Sequence, residues 1–570
     1  MRTNRIFALF LNKNPNSMYR QLLILWCVLC GFGSMAQAQN AKKYTFTHGD
    51  TLRGSLSPER ACYDVRVYDL NLRVQPRTHF LSGYNQITFQ VVQACRRIQL
   101  DLFDNMNIDS IVWRGQKLNF SRENDVFWVR FPEELRKGSR QSIRIYYNGQ
   151  PQKAANPPWD GGLVWRKDPD GLDWVGVACE GLGASVWFPC KDHLSDEPDS
   201  TYIRCEVPAE LTCVANGQFL GQKNITDSTA RYDWLVSYPI NNYNITLNIA
   251  RYAHIADTFR TAAGNVLKLD YYVLKNNKDI AAQHFKQVKP MLKCYEKYFG
   301  EYPFVRDGYK LVETPYWGME HQSCVAYGNA YKNNKQGFDF IIIHESGHEY
   351  WGNSLSCTDH AEMWIHESFC TYAEAIYIEE LWGKEKTIEY LKEQRKRIGN
   401  KEPMLAPLGV NYNYWDDSDN YFKGTWMLHT LRHALHNDAL WWELIRGLNK
   451  EFLRSPVTTA QIIDFFERKA PNTLHWRPLF EAYLRYAQPP QFEYKLEQNT
   501  EGTWQVAYRW NTAEMAFDMP VEVSIGGSKF QRLQPRTQWQ YVAISAPKDP
   551  KKFEVQVNTD LFYVGCKALK

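Results

Sequence analysis

Beyond a polar lead from Asn40 to Glu59, apolar and polar positions alternate in short runs, such as Ile87, Phe89 and Val91, or Ile143 and Ile145 before the turn pair Asn148-Gly149. A period of two sends successive side chains to opposite faces, so these runs predict half-buried antiparallel strands. The alternation continues through Ile245, Leu247 and Ile249 and ends near Leu267 to Leu274, with a Gly, Pro and Trp-rich stretch from Pro157 to Pro198 reading as an insertion. From Asp279 the period changes: Val288, Leu292, Tyr295 and Phe299 fall on one helical face before Gly300 and Pro303 stop it. Further helices are predicted by Phe369, Tyr372, Ala373, Ile376 and Tyr377, and by Ile462, Ile463 and Phe466 behind Thr459 as cap. Alternation returns in Trp504, Val506 and Tyr508, in Val521, Val523 and Ile525, and in Phe553, Val555 and Val557.

The pattern predicts a multidomain α+β chain with an N-terminal antiparallel β domain at 39–252, a mostly helical domain at 253–488 and a small C-terminal β module at 489–570. With 570 residues, 44% hydrophobic and 15% aromatic, the chain has apolar material for several cores, which excludes a disordered protein. A net charge of +4 from 67 basic and 63 acidic residues, with no long basic block, argues against nucleic acid as partner.

Residues 1–38 read as a signal peptide: Arg20 precedes the apolar run Leu22 to Phe32, then comes Ala36-Gln37-Ala38, and cleavage would leave Gln39 first. Either Met1 or Met18 serves as the start. The apolar run is short for a bilayer, so no stable membrane span is expected in the mature chain, and the expected destination is the periplasm or the extracellular medium. Two of the 13 cysteines fall in this leader and leave eleven, an odd number, so at least one stays unpaired. Most of them read as small buried hydrophobes, with no disulfide pairing assigned.

The candidate chemistry lies at His344-Glu345-Ser346-Gly347-His348, directly after the apolar run Phe340 to Ile343. Histidines four apart on a helix share a face and can hold one zinc, while Glu345 between them reaches the water on the metal. A third ligand is found nineteen positions beyond His348 at Glu367, and two imidazoles with one carboxylate leave the fourth zinc position open, as a catalytic site requires. His360, His366 and Glu349 are rival ligands by residue type, assigned to loop, packing or supporting roles.

H-E-x-x-H followed by that glutamate resembles the gluzincin aminopeptidases of the aminopeptidase N family. Gly352 and Asn353 follow the motif as they do there, and Trp317-Gly318-Met319-Glu320-His321 looks like the family's G-A-M-E-N exopeptidase motif. Tyr421-Phe422-Lys423-Gly424 looks like its Y-x-K-G segment, and Cys179-Glu180-Gly181 with Trp187-Phe188-Pro189-Cys190 resembles its substrate-binding segment. These matches run in family order from about Glu180 to Gly424. Trp317 replaces the motif's first glycine and His321 its asparagine, while His366, Ser368 and Cys370 depart from W-L-N-E-G-F-A. A tryptophan or histidine in the motif would narrow the specificity pocket. After Gly424 the chain is short for the large helical lid of longer relatives.

The resemblance implies a thermolysin-like catalytic domain holding one Zn2+ per chain on His344, His348 and Glu367. In that scheme Glu345 takes a proton from water and returns it to the departing amine, and Tyr421 donates to the oxyanion. Glu320 and Glu180 hold the α-ammonium of a peptide with a free N-terminus. Met319 and the backbone near Gly318 line the pocket for the first side chain and pair with the peptide backbone. The competing readings are an endopeptidase of thermolysin type, a leukotriene-hydrolase-like bifunctional zinc hydrolase, and a metal-free binding scaffold of the same fold. The oligomeric state is not legible.

Overall fold

A computed structural model describes residues 44–569 except Asp416, so the expected leader at 1–38 lies outside the described residues. Phe46 onward forms one compact unit. Its N-terminal part is a ten-stranded sheet centred on the strands Tyr63–Gln75, Phe80–Val91 and Arg140–Gly149. The alternation seen in sequence does the expected work: Ile87, Phe89, Val91, Ile143 and Ile145 are all buried. The sheet is antiparallel but for one pairing, since Tyr63–Gln75 runs parallel to Ser200–Pro208, with Val67 opposite Ser200 and Arg73 opposite Glu206. Such a pairing needs a long crossover, and the chain between the two strands supplies it.

The Gly, Pro and Trp-rich stretch is more ordered than an insertion. It contributes the strands Gly162–Lys167 and Asp173–Ala178 to a four-stranded sheet completed by Thr212–Ala215 and Leu247–Ala250. Val175, Val177 and Ala178 are buried on both faces, which leaves no alternation to read in the sequence. Glu180 lies just past the end of Asp173–Ala178.

Next comes a five-stranded sheet, ordered Tyr252–Arg260, Val266–Leu274, Tyr309–Glu313, Val325–Tyr327 and Gly318–Met319. The last of these is an edge strand, paired on one side only through Gly318 with Tyr327 and Met319 with Ala326. Helix Val288–Phe299 buries Val288, Leu292, Tyr295 and Phe299 as the period of 3.6 predicts. Helices Phe340–Gly347, Trp364–Trp382 and Phe422–Leu435 form the centre of the helical domain. Arg432 ties two of them together, giving a two-pronged contact to Glu379 at 2.7 and 2.8 Å and further hydrogen bonds to Asp438. Helix Thr459–Lys469 is capped by Thr458 in a reciprocal box with Gln461, one residue before the predicted cap. Thr459 instead accepts from the indole of Trp364 at 2.9 Å.

The C-terminal part is a four-stranded and a three-stranded sheet between Gln491 and Ala568. Among the described residues no cysteine is in a disulfide, and nine of eleven are buried, the behaviour of small hydrophobes. No described helix is long and apolar enough to cross a membrane.

Candidate metal centre and peptide-binding cleft

The motif helix starts at a built cap. Asp339 accepts from the amide of Ile341 at 3.0 Å, and its carboxylate is also gripped by the Tyr327 hydroxyl at 2.7 Å and the Asn329 amide at 2.8 Å. The helix ends on the site itself, because His348 occupies its C-cap, still in the right-handed helical conformation. The two imidazoles therefore share a face, with ring centroids 4.9 Å apart.

The predicted ligands meet. Nε2 of His344 lies 3.3 Å from Nε2 of His348, and Oε2 of Glu367 stands 3.6 Å from each. Zinc bonds of about 2.0–2.1 Å in tetrahedral array place ligand atoms roughly 3.3 Å apart, so this triangle has the right size. The donors are also the right kind and are free. Nδ1 of His344 is 2.6 Å from Oε1 of Glu374, and Nδ1 of His348 is 2.8 Å from the carbonyl of Trp351. Each contact fixes the proton on Nδ1 and leaves the Nε2 lone pair for a metal. Oε2 of Glu367 is buried with no hydrogen-bond partner, an arrangement that a cation repairs. Cys370 also has a ligand atom within 4.8 Å of those of both histidines, but its thiol donates to the carbonyl of His344 at 2.8 Å.

The three rival ligands are otherwise engaged or perturbed. Glu349 accepts from the amide of Ser323 at 2.6 Å, and burial pushes its carboxyl up to about 8. His366 accepts from the Cys357 amide at 2.9 Å, with its other nitrogen 3.4 Å from the Tyr243 hydroxyl. His360 is buried at the start of the short 3-10 helix His360–Glu362 before the glutamate helix, and burial lowers its pKa.

Glu345 lies against the edge strand. A Cβ on Gly318 would come within 2.6 Å of Oε1 of Glu345, so only glycine lets the strand pass this close. Burial pushes the Glu345 carboxyl up to about 7, against the pull of His344 and His348. Donor atoms of Glu320, Glu345 and His348 lie within 4.8 Å of one another. Glu320 is 3% exposed and accepts from the Tyr243 hydroxyl at 2.8 Å. Burial raises its pKa, with His348 opposing and Glu367 assisting. Glu180 is raised by burial and then by the charge of Glu320, and its Oε1 is buried without a partner. Four carboxylates thus crowd one cleft, and each raises or feels the next.

Tyr421 immediately precedes helix Phe422–Leu435, its ring 6.2 Å from that of His344. Its phenol stays protonated, held up by burial and then by the charges of Glu367, Glu180 and Glu320. The glycine of this segment has a spatial reason: a Cβ on Gly424 would meet Oγ of Ser368 at 1.7 Å, so the helix can approach the glutamate helix only at glycine. Lys423 points away, donating to the carbonyls of Tyr486 and Ala487 at 2.7 Å each. Sequence reasoning missed Tyr243 and Glu374. Glu374 had a faint mark, a carboxylate two turns beyond Glu367 between Ala373 and Ala375-Ile376. Tyr243, in the turn Asn242–Asn244, had none.

Residues 283–478 match the peptidase family M1 domain. Aminopeptidase N of Escherichia coli (strain K12) is 24% identical over 438 residues, covering 71% of this chain and 48% of its own. The tricorn protease-interacting factor F2 of Thermoplasma acidophilum is 21% identical over 326 residues, 54% of this chain and 37% of its own. The chain thus spans about half, or less, of the length of these curated relatives. Among solved structures, a variant M1 zinc metallopeptidase from Deinococcus radiodurans bound to a Tyr-Ser-Ala substrate superposes with TM-score 0.64 at 22% identity, covering 76% of this chain and 97% of that one. A two-domain M1 zinc metallopeptidase variant bound to L-tryptophan gives the same TM-score and identity over 75% and 95%.

The fold is that of a two-domain M1 metallopeptidase extended by C-terminal β strands. Residues 283–478 thus resemble a peptidase family M1 domain, and the fold is shared with M1 zinc metallopeptidases over 75% of this chain.

Proposed function

We propose that this chain is a zinc aminopeptidase that hydrolyses the N-terminal peptide bond of peptides, holding one Zn2+ on His344, His348 and Glu367. Bound there, zinc supplies Lewis acidity, polarising the scissile carbonyl and making water a nucleophile near neutral pH. Glu345, poised near 7 against the edge strand, accepts the proton of the attacking water and hands it to the departing amine. Tyr421, kept protonated, donates to the oxyanion. The peptide backbone pairs with the open side of Gly318–Met319, and Met319 lines the pocket for the first side chain.

The observation that carries the reading is the pair of carboxylates beside the His-His-Glu triangle, Glu320 buried and Glu180 half-buried with its Oε1 covered and unpartnered. Burying several like charges together is costly, and the cost is met by a divalent ion and an α-ammonium. A capped peptide brings no cation and leaves those carboxylates unpaired, so internal bonds are rejected. The tripeptide Tyr-Ser-Ala bound to the Deinococcus protein is a ligand of the size and kind this cleft would take. Export to the periplasm or medium, read from residues 1–38, is part of the same proposal.

The test compares one peptide in free and N-acetylated form, with zinc quantified in the same sample. Cleavage of the free form alone at about one zinc per chain is expected. Equal cleavage of both would replace the aminopeptidase by an endopeptidase, and a protein that takes up no zinc would leave a scaffold.

A further inference from the structure

Six aromatic rings form an unbroken series through the metal centre. Trp159 and Trp317 are 6.2 Å apart, Trp317 and Phe340 5.6 Å, Phe340 and His344 5.2 Å, His344 and Tyr421 6.2 Å, and Tyr421 and Trp415 6.2 Å. The series is buried at His344, half-buried at Phe340 and Tyr421, and open at its ends. Trp159 is 67% exposed, Trp317 44% and Trp415 39%, and among the described residues these are three of only four tryptophans so exposed. An indole left in water forgoes a large burial, so three on one path to a catalytic cleft call for an occupant.

Their place in the cleft says which occupant. Three stations stand in order at the edge strand Gly318–Met319: Glu320 directly after it, Gly318 with the Glu345 carboxylate against it, and Trp317 in the bend directly before it, its carbonyl accepting from the Gly328 amide at 2.8 Å. Consecutive residues of an extended chain are about 3.3 Å apart, the same spacing as in a peptide lying beside it. With the α-ammonium at Glu320 and the scissile bond at Glu345, the next residue of the peptide, the first of the leaving group, comes level with Trp317. Trp317 is fixed there. Its Nε1 donates to Oδ1 of Asn329 at 3.0 Å, and the amide of Asn329 donates to Asp339, the cap of the motif helix, at 2.8 Å. Trp159 approaches from the other domain on a loop resting on Leu182, since a Cβ on Gly161 would meet that side chain at 2.9 Å. Leu182 is two residues past Glu180, so the loop and the ammonium site share one support.

We propose that Trp159 and Trp317 form the subsite for the side chain that follows the scissile bond, and that it takes an aromatic or large aliphatic residue. The substrate class is then peptides carrying a bulky apolar second residue, whatever the first. This rests on the aminopeptidase reading.

The experiment uses the zinc-loaded full chain on Ala-Phe-Ala, Ala-Gly-Ala and alanine amide, reading kcat/KM for each in the parent and in Trp159→Ala and Trp317→Ala. The parent is expected to favour Ala-Phe-Ala over Ala-Gly-Ala by about tenfold or more, and each variant to bring that ratio to within about threefold of one. Trp159, whose ring contact is Trp317, can be truncated with little disturbance of the core, which guards against a variant that fails to fold. A parent ratio near one, or a ratio kept in both variants, overturns the subsite while leaving the aminopeptidase standing. If the parent hydrolyses none of the three, the aminopeptidase reading falls and the subsite with it.

Discussion

Glu374 stands 2.6 Å from Nδ1 of His344 and is itself held by the Tyr390 hydroxyl and by Gln394 at 3.3 Å. The carboxylate thus orients His344, the ligand the proposed function gives to zinc, from the side away from Nε2. Substituting Glu374→Gln is expected to weaken zinc binding by about 10- to 100-fold. Competition with a chromogenic chelator measures it, and an unchanged zinc affinity would show that His344 needs no such support.

Glu345 touches the edge strand but is not part of the ligand triangle. Glu345→Gln is therefore expected to keep zinc and lose about 10²- to 10⁴-fold in kcat. Zinc content and steady-state kinetics on one preparation decide it. Turnover at the parent rate would require a different base.

The Tyr243 hydroxyl donates to Glu320 at 2.8 Å and holds that carboxylate in place. Tyr243→Phe removes one charge-assisted hydrogen bond, so kcat/KM for a free tripeptide should fall by about 5- to 30-fold, mostly through KM. Zinc content should not change. A loss confined to kcat would move Tyr243 from positioning the ammonium site to serving the chemical step.

For Tyr421→Phe the expected split is the opposite. A donor used only as the oxyanion forms affects kcat by about 10²- to 10³-fold and KM little. A raised KM with unchanged kcat would assign the phenol to ground-state binding.

Glu197 is not one of the proposed ligands; it accepts from the Ser356 hydroxyl at 2.6 Å, with its other oxygen buried and unpartnered. Burial pushes its carboxyl up to about 8. Because the folded state holds the proton more tightly than the unfolded one, the associated stability is complete below the ordinary pKa of 4.5 and is lost as pH rises through about 8. The slope in that window is up to about 1.4 kcal/mol per pH unit. Thermal midpoints of the parent should fall more steeply from pH 5 to 8 than those of Glu197→Gln, and then run parallel. Parallel curves throughout would mean Glu197 is ionised in the fold.

What the sequence revealed and what it hid follow one physical line. Contacts within a turn or a strand leave a period, so the strands around Ile87 and Ile143, the helix after Val288 and the spacing of His344 and His348 were legible. Glu367 was legible because it belongs to a motif with fixed spacing. Tyr243 and Glu320 are 77 positions apart, and a contact that long leaves no trace in local pattern. The strands at Gly162–Lys167 and Asp173–Ala178 were missed for a related reason, since burial on both faces erases alternation. Thr458 and Thr459 are adjacent and alike, so only geometry separates the cap from its neighbour.

Glu180 and Tyr243 come from the β-rich half of the molecule, whereas every side chain of the ligand triangle comes from two helices of the other half. In the proposed function the cation would be held by one half of the molecule alone, whereas the site for the start of a peptide would draw on both, since Glu320 belongs to the helical half and Glu180 to the other. Should the helical half be produced alone, it would keep all three side chains of the triangle and Glu320 as well, but Glu320 would stand without the Tyr243 hydroxyl and without Glu180 as its neighbour.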